Sequence, residues 1–133
     1  MKKVVKFGGS SLASAEQFMK AGEIIRSDEE RRYVVPSAPG KRHDKDTKVT
    51  DMLYACYATA EADGDFQDGL RDIEERYKEI IDGLHLDLSL DGEFQTIGKN
   101  FREKAGEDYA ASRGEYLNGI IMAAYLGYEF IDA

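Results

Sequence analysis

The chain has 133 residues, of which 26 are acidic and 18 are basic, so its formal charge at pH 7 is −8. Apolar residues make up 42% and charged residues 33%, a balance typical of a globular domain and too apolar for a disordered tail. The length is that of one domain. The excess of acid excludes a protein that coats the phosphate backbone of DNA or RNA.

The sequence also bears on where the protein works. The longest uncharged apolar run extends only from Gly119 to Gly127, which is too short to cross a bilayer. No signal-like segment follows Met1 and its two lysines. The one cysteine, Cys56, has no internal partner for a disulfide. We therefore expect a cytoplasmic protein that has neither a membrane nor a nucleic acid as its partner.

The first third of the chain predicts two strands joined by a helix. Ser14, followed three residues later by Gln17, forms a capping box that opens this helix. Apolar side chains then recur at helical spacing, so one face of the helix is predicted to be buried. In chain order the predicted elements are a strand over Val4–Phe7, a helix from Ser14 to about Arg26, and a strand over Arg32–Val35 that ends at Pro36.

The remainder predicts helices followed by a third strand. Apolar residues at helical spacing begin at four places, Val49, Leu70, Leu90 and Leu117. The leucines of Leu84–Leu90 alternate as they would in a strand, but helical spacing continues from the same segment and favours a helix there. Tyr128–Ile131, directly after the last helix, predicts a third strand.

This alternation of strands and helices predicts an α/β fold. Strands joined by helices imply right-handed crossovers and a largely parallel sheet that is covered on both faces, which is a three-layer αβα arrangement. Three strands do not complete such a sheet, and the last of them lies at the very end of the sequence. We therefore expect one incomplete α/β domain over residues 1–133.

The strongest chemical feature is Lys6–Ser11, in which a lysine near the end of a strand precedes two glycines and two hydroxyls. Glycines let backbone N–H groups approach an anion, and a helix N-terminus and a lysine add positive charge. The spacing fits neither the nucleotide-binding P-loop nor the dinucleotide fingerprint. The segment is either a phosphate cradle or a tight turn with a surface lysine.

Two further polar residues could join this site. Ser37 follows the second strand, and parallel strands end at the same sheet edge, where ligands gather. By itself, however, Ser37 is more simply a turn residue. Glu115 precedes the apolar last helix and is either a first-turn acid that compensates the helix dipole or a carboxylate directed into a cleft.

Other residues are assigned structural roles. The two histidines, His43 and His85, have no partner at metal-ligand spacing, so we expect no metal site. Cys56 lies on an apolar helical stripe and is predicted to belong to the core. The dense charge run Lys41–Lys48 is most simply a solvated loop.

Three segments, taken in order, resemble the aspartate kinases of the amino acid kinase superfamily. They are Lys6–Ser11, then Val34–Lys41 together with Val49–Leu53, and then Ser112–Leu117. The resemblance extends to the tail Glu129–Ala133, and three ordered motifs are far more specific than one. Ser10 replaces a threonine that is common in the family and keeps its hydroxyl. Pro36 stands where an aliphatic strand residue is usual.

The resemblance implies ATP-dependent phosphorylation of the β-carboxylate of L-aspartate to 4-phospho-L-aspartate, with Mg²⁺ accompanying ATP. This is the first step towards lysine, threonine and methionine. The positions that match the family are Lys6 for the transferred phosphoryl group, Gly8, Gly9 and Ser10 for phosphate oxygens, and Ser37, Thr50 and Glu115 for aspartate.

In this family the nucleotide-binding half and the regulatory domains lie downstream of the matched motifs. We therefore expect residues 1–133 to be the N-terminal, substrate-binding portion of an amino acid kinase domain. Such a portion would be inactive alone and part of a homo-oligomer when full length. The alternatives are a kinase of another amino acid, such as glutamate, and a non-catalytic anion-binding or interaction half-domain.

Overall fold

A computed structural model describes residues 1–132. None of the helices in these residues is both long enough and apolar enough to cross a membrane. The elements in chain order are β1 (Lys3–Phe7), a 3₁₀ helix (Gly9–Leu12), α1 (Ala15–Arg26), β2 (Arg31–Pro36), α2 (Val49–Glu61), α3 (Gln67–Gly83), α4 (Asp91–Arg102) and α5 (Glu107–Leu126).

The two strands pair in parallel and are connected through α1, which confirms the predicted α/β class. Phe7 pairs with Pro36, the last residue of β2, where a residue without an N–H is tolerated. Since side chains alternate along a strand, one face of the sheet turns towards the helices. The other face is exposed, and on it Val4 and Tyr33 have exposed fractions of 68% and 51%.

Helix α1 begins and ends where the sequence predicts. Ser14 is its N-cap residue, and the Ser14 side chain accepts a hydrogen bond from the Gln17 backbone N–H at 3.4 Å. This bond satisfies one of the N–H groups that have no partner within the helix. The apolar stripe, which includes Phe18 and Ile25, is buried as expected.

The core lies among the five α-helices. Each of them contributes side chains that are at most 1% exposed, namely Phe18, Ile25, Leu53, Ile73, Tyr77, Phe101, Leu117 and Ile121. Cys56 belongs to this core, which confirms its predicted structural role. Burial raises the pKa of its thiol to about 11, so the reactive thiolate is disfavoured.

Two predicted elements differ from the structure. The leucine-rich segment Leu84–Leu90 is a loop, since α3 ends at Gly83 and the next helix starts at Asp91, one residue beyond Leu90. The prediction of a third strand at Tyr128–Ile131 is wrong. Gly127 ends α5 in the left-handed conformation, and the Tyr128 N–H then bonds back to the Ala123 carbonyl at 2.9 Å.

Phe130 holds the segment after Gly127 against α5. The rings of Phe130 and Tyr116 meet edge to face, with centroids 5.6 Å apart. A Cβ added to Gly119 would lie only 2.8 Å from the Phe130 ring, so the glycine allows this close approach. The segment therefore packs on its own helix and does not extend the sheet.

The charged segment Lys41–Lys48 is a loop, as predicted, and one ion pair orders it. The Arg42 guanidinium donates to both carboxylate oxygens of Asp46, at 2.7 and 3.0 Å. The Arg42 backbone N–H donates to the same carboxylate at 2.9 Å. These hydrogen bonds hold the pKa of Asp46 well below its usual range.

This pair predicts a specific loss of stability in acid. A carboxylate whose pKa is lowered by folding stabilises the protein above its unfolded-state pKa of about 4, and this contribution is lost as the pH falls further. We expect the free energy of unfolding of the unchanged chain to exceed that of Asp46→Asn at pH 7, with the difference shrinking from pH 5 to pH 3. Urea unfolding at several pH values measures it.

The matched control is Asp44→Asn, which changes an exposed carboxylate in the same loop. Its stability should follow that of the unchanged chain at every pH. Parallel pH curves for the unchanged chain and Asp46→Asn would contradict the assignment.

Candidate functional site

The carboxyl ends of the two strands bring the first two predicted motifs into contact. The Gly40 N–H donates to the Gly9 carbonyl at 2.8 Å. A Cβ added to Gly40 would lie 2.7 Å from the Gly9 carbonyl carbon and 2.8 Å from the Ser10 nitrogen. The two backbones can approach this closely only because position 40 has no side chain. The turn after β1 is therefore held by the turn after β2.

Gly8 has a different environment from its neighbour Gly9. A Cβ added to Gly9 would lie 3.0 Å from the Ala38 carbonyl oxygen, so packing accounts for that glycine. A Cβ added to Gly8 would meet nothing within 4 Å. The Gly8 backbone, with φ −77° and ψ 171°, is one that any residue adopts. The space beside Gly8 is therefore open, which leaves its backbone accessible from that side.

Lys6 lies on the exposed face of the sheet, opposite Val35. Alternation along the strand turns its side chain away from the core, whereas Phe7 turns inward and is buried. Its side chain is exposed to solvent two residues before Gly8, at the end of the strand where the turn begins. This arrangement provides one full positive charge beside the turn.

Ser37 and Thr50 lie on either side of the second turn. The Ser37 N–H donates to the Phe7 carbonyl at 3.1 Å, which continues the strand pairing for one residue beyond β2. The Pro39 carbonyl accepts a hydrogen bond from the Val49 N–H at 3.0 Å, so the same turn holds the start of α2. Thr50 is in the first turn of that helix, and both hydroxyl residues are half-buried.

Glu115 is in the third turn of α5, so its interpretation as a first-turn acid is wrong. The helix begins at Glu107, and acids further upstream occupy the first turn. One turn beyond Glu115, the Asn118 amide donates to the Ser37 carbonyl at 2.8 Å. Residues three apart are neighbours on a helix surface, so the exposed Glu115 lies one turn from the residue that contacts the Ser37 segment.

Two buried polar residues that hold this site together are absent from the sequence predictions. Asn118 is fully buried and Arg76 is 5% exposed. The Arg76 guanidinium donates to the Gly40 and Thr47 carbonyls, each at 2.9 Å. Each polar residue interrupts an apolar helical stripe, and that interruption is the signal by which the sequence could have revealed them.

Another concave surface lies away from these residues. A groove of about 400 Å³ between α3 and α4 is lined by side chains of both charges, including Arg71, Glu74, Asp91 and Lys99. Burial, with Asp91 close by, raises the pKa of Glu74. None of the predicted site residues lines this groove. Within residues 1–132, no group of three or more His, Cys, Asp and Glu side chains is arranged to hold a metal ion.

Known proteins share both the sequence pattern and the fold of this chain. The sequence profile of the amino acid kinase family matches residues 1–133. Aspartokinase 3 of Bacillus subtilis (strain 168) is 40% identical to this chain over 98% of the chain and 30% of its own length. The crystal structure of the Clostridium acetobutylicum aspartate kinase matches all of this chain and 31% of that protein, with a TM-score of 0.95 and 51% identity.

A more distant structure has the same fold. Escherichia coli aspartokinase III, solved in complex with aspartate and ADP, matches 96% of this chain and 29% of that protein, with a TM-score of 0.64 and 21% identity. The chain thus spans about a third of the length of the relatives it matches. Because the family profile matches every residue and the fold is shared with the clostridial enzyme, this chain belongs to the amino acid kinase family.

Proposed function

We propose that this chain provides the aspartate-binding side of an aspartate kinase. The enzyme would transfer the γ-phosphoryl group of ATP to the β-carboxylate of L-aspartate, giving 4-phospho-L-aspartate and ADP, the first step of lysine, threonine and methionine biosynthesis. The observation that carries the proposal is that the turns after β1 and β2 meet through the Gly9–Gly40 hydrogen bond. Helix α5 packs beside them, since a Cβ added to Gly114 would lie 2.6 Å from the Ala38 Cβ and Asn118 donates to the Ser37 carbonyl. Identities of 40% and 51% to two aspartokinases support aspartate over glutamate as the substrate.

The phosphate side of the site would consist of Lys6, Gly8, Gly9 and Ser10. Phosphoryl transfer spreads negative charge over the equatorial oxygens, which positive charge and N–H donors stabilise. Lys6 would supply the charge, and the open space at Gly8 would admit the phosphate to the backbone. Mg²⁺ would enter with the phosphates of ATP, since this ion is usually bound by few protein ligands together with substrate phosphates.

The aspartate side would consist of Ser37, Thr50 and Glu115. The substrate carries one ammonium group, and the Glu115 carboxylate would pair with it. The hydroxyls of Ser37 and Thr50 would donate hydrogen bonds to a substrate carboxylate. The exposure of Glu115 and the half-exposure of both hydroxyl residues support access by a ligand.

The domain assignment is part of the same proposal. Residues 1–133 would correspond to the N-terminal, substrate-binding portion of the amino acid kinase domain, and the nucleotide-binding half would lie in the part of the relatives that this chain does not match. The working enzyme would be a cytoplasmic homo-oligomer.

A chimera tests the proposed function. Residues 1–133 would replace the matching 31% of the clostridial aspartate kinase, with which they share 51% identity. We expect the chimera to release ADP from ATP when L-aspartate is added and not when L-glutamate is added, measured by a coupled ADP assay. The 133-residue chain alone should not turn over. A chimera that folds but is inactive, or a preference for glutamate, would overturn the proposal.

Lys6→Met in this chimera should lower kcat by about 10²- to 10³-fold, the usual cost of removing one group that stabilises transition-state charge. The KM for aspartate should change by less than about threefold, because the lysine acts mainly as phosphoryl charge redistributes. Lys3→Met is the control, since Lys3 is in the same strand and pairs with Asp28 at 2.8 Å. Equal kcat values for Lys6→Met and the control would remove Lys6 from the mechanism.

Glu115→Gln should act on aspartate binding and not on the phosphate side. Loss of a charged partner for an ammonium group costs about 1.5–3 kcal/mol, so we expect the KM for aspartate to rise by about 10- to 100-fold. The KM for ATP should stay within about twofold of the unchanged value. Glu107→Gln, in the first turn of the same helix, is the matched control. An unchanged KM for aspartate in Glu115→Gln would exclude the assigned role.

A further inference from the structure

Arg76 is a charged side chain buried in the core, only 5% exposed. Its nearest carboxylate oxygen, on Asp46, is 3.6 Å away, and that carboxylate is already engaged by Arg42. The guanidinium donates to the backbone carbonyls of Gly40 and Thr47, each at 2.9 Å, and makes a longer contact with the Met52 Sδ at 3.9 Å. Burying a charge costs free energy, so stability alone is a weak explanation for an arginine at this position.

Both carbonyls belong to the segment that connects β2 to α2. Gly40 is at the start of this segment, in contact with the turn after β1, and Thr47 is at its end, two residues before α2. A planar guanidinium with fixed donor directions can hold two carbonyls in one relative arrangement. Arg76 therefore holds the charged segment Lys41–Lys48 at two points, at Gly40 directly before it and at Thr47 near its end.

The contacts continue from this loop to the candidate phosphate site. Arg76 donates to the Gly40 carbonyl at 2.9 Å, and the Gly40 N–H donates to the Gly9 carbonyl at 2.8 Å. Gly9 follows Gly8, beside which the space is open. We propose that Arg76 is a positioning residue that sets the turn at Gly8–Ser10 for the phosphate of ATP, acting through Gly40. This inference rests on the proposed function.

Ser37, on the aspartate side, has a separate support. Its carbonyl is held by Asn118 at 2.8 Å, and this contact does not involve Arg76. Thr50 follows Thr47 by three residues, but its backbone is also held in helix α2. Loss of the guanidinium should therefore disturb the phosphate side more than the aspartate side. A purely structural arginine would instead change the stability of the fold and leave the kinetic constants of the folded enzyme as they were.

The kinetic test uses Arg76→Met and Arg76→Lys in the active chimera, below the Tm of each variant. A small displacement of a phosphate-binding turn can cost on the order of 10²-fold, so we expect kcat for Arg76→Met to fall by about 10- to 100-fold. Arg76→Lys should recover part of the loss, because lysine keeps the positive charge but lacks the planar, fixed donor geometry of the guanidinium. The KM for aspartate should change by less than about threefold in both variants.

Arg71→Met is the matched control for these variants. Arg71 lies on the same helix, is exposed, and pairs with Asp68 on the helix surface. Its substitution should leave kcat unchanged. If Arg76→Met lowers only the Tm, with kcat and both KM values unchanged, Arg76 is a structural residue and the proposal is wrong.

A second readout does not depend on activity. Amide hydrogen exchange, followed in the 133-residue chain and in the chimera, reports directly on the Gly40 N–H that bonds to Gly9. In Arg76→Met we expect exchange at Gly40 to accelerate at least about tenfold relative to exchange at Ile80 in the core of α3. Equal acceleration at both amides would overturn the proposal. If the unsubstituted chimera is inactive, the proposed function fails, and this exchange ratio still decides whether Arg76 positions the turn.

Discussion

The contact between the backbones of Gly9 and Gly40 is the constraint on which the rest of this structure depends. Two parallel strands end at the same edge, and the turns that follow them meet with no side chain between them. A methyl group at position 40 would overlap the Gly9 carbonyl carbon at 2.7 Å. The direction of the Gly8–Ser10 turn, and hence the open space beside Gly8, follows from this contact.

Two consecutive residues of helix α3 stabilise the elements around this contact. Arg76 holds the loop after β2, and Tyr77 donates its hydroxyl to the Gly114 carbonyl of α5 at 2.9 Å. Complete burial raises the pKa of the Tyr77 hydroxyl, which therefore stays protonated and able to donate. Gly114 in turn lets α5 approach Ala38, because a Cβ there would lie 2.6 Å from the Ala38 Cβ. Helix α3 thus fixes the position of the loop after β2 and also that of α5, the helix that carries Glu115.

Much of the local structure, and the position of Ser37 beside the turn after β1, could be predicted from the sequence. The capping box at Ser14 and the apolar spacing located α1, and the strand-end position of Ser37 predicted that it would lie beside the glycine turn. The prediction failed for Tyr128–Ile131, because a β-rich composition does not reveal that Gly127 turns the chain back onto α5. Glu115 was assigned to the wrong helical turn because α5 starts with polar residues that carry no apolar signal.

The sequence by itself determined β1, α1, β2 and their α/β order, and it singled out the residues that we propose bind phosphate and aspartate. Those properties depend on spacing within a few residues, which hydrophobic periodicity and motifs record. Only the tertiary structure decided that Arg76 and Asn118 hold the site, because their partners, Gly40 and Ser37, are 36 and 81 residues away. A buried donor needs an acceptor at hydrogen-bond distance, and the acceptor it meets depends on how the whole chain packs.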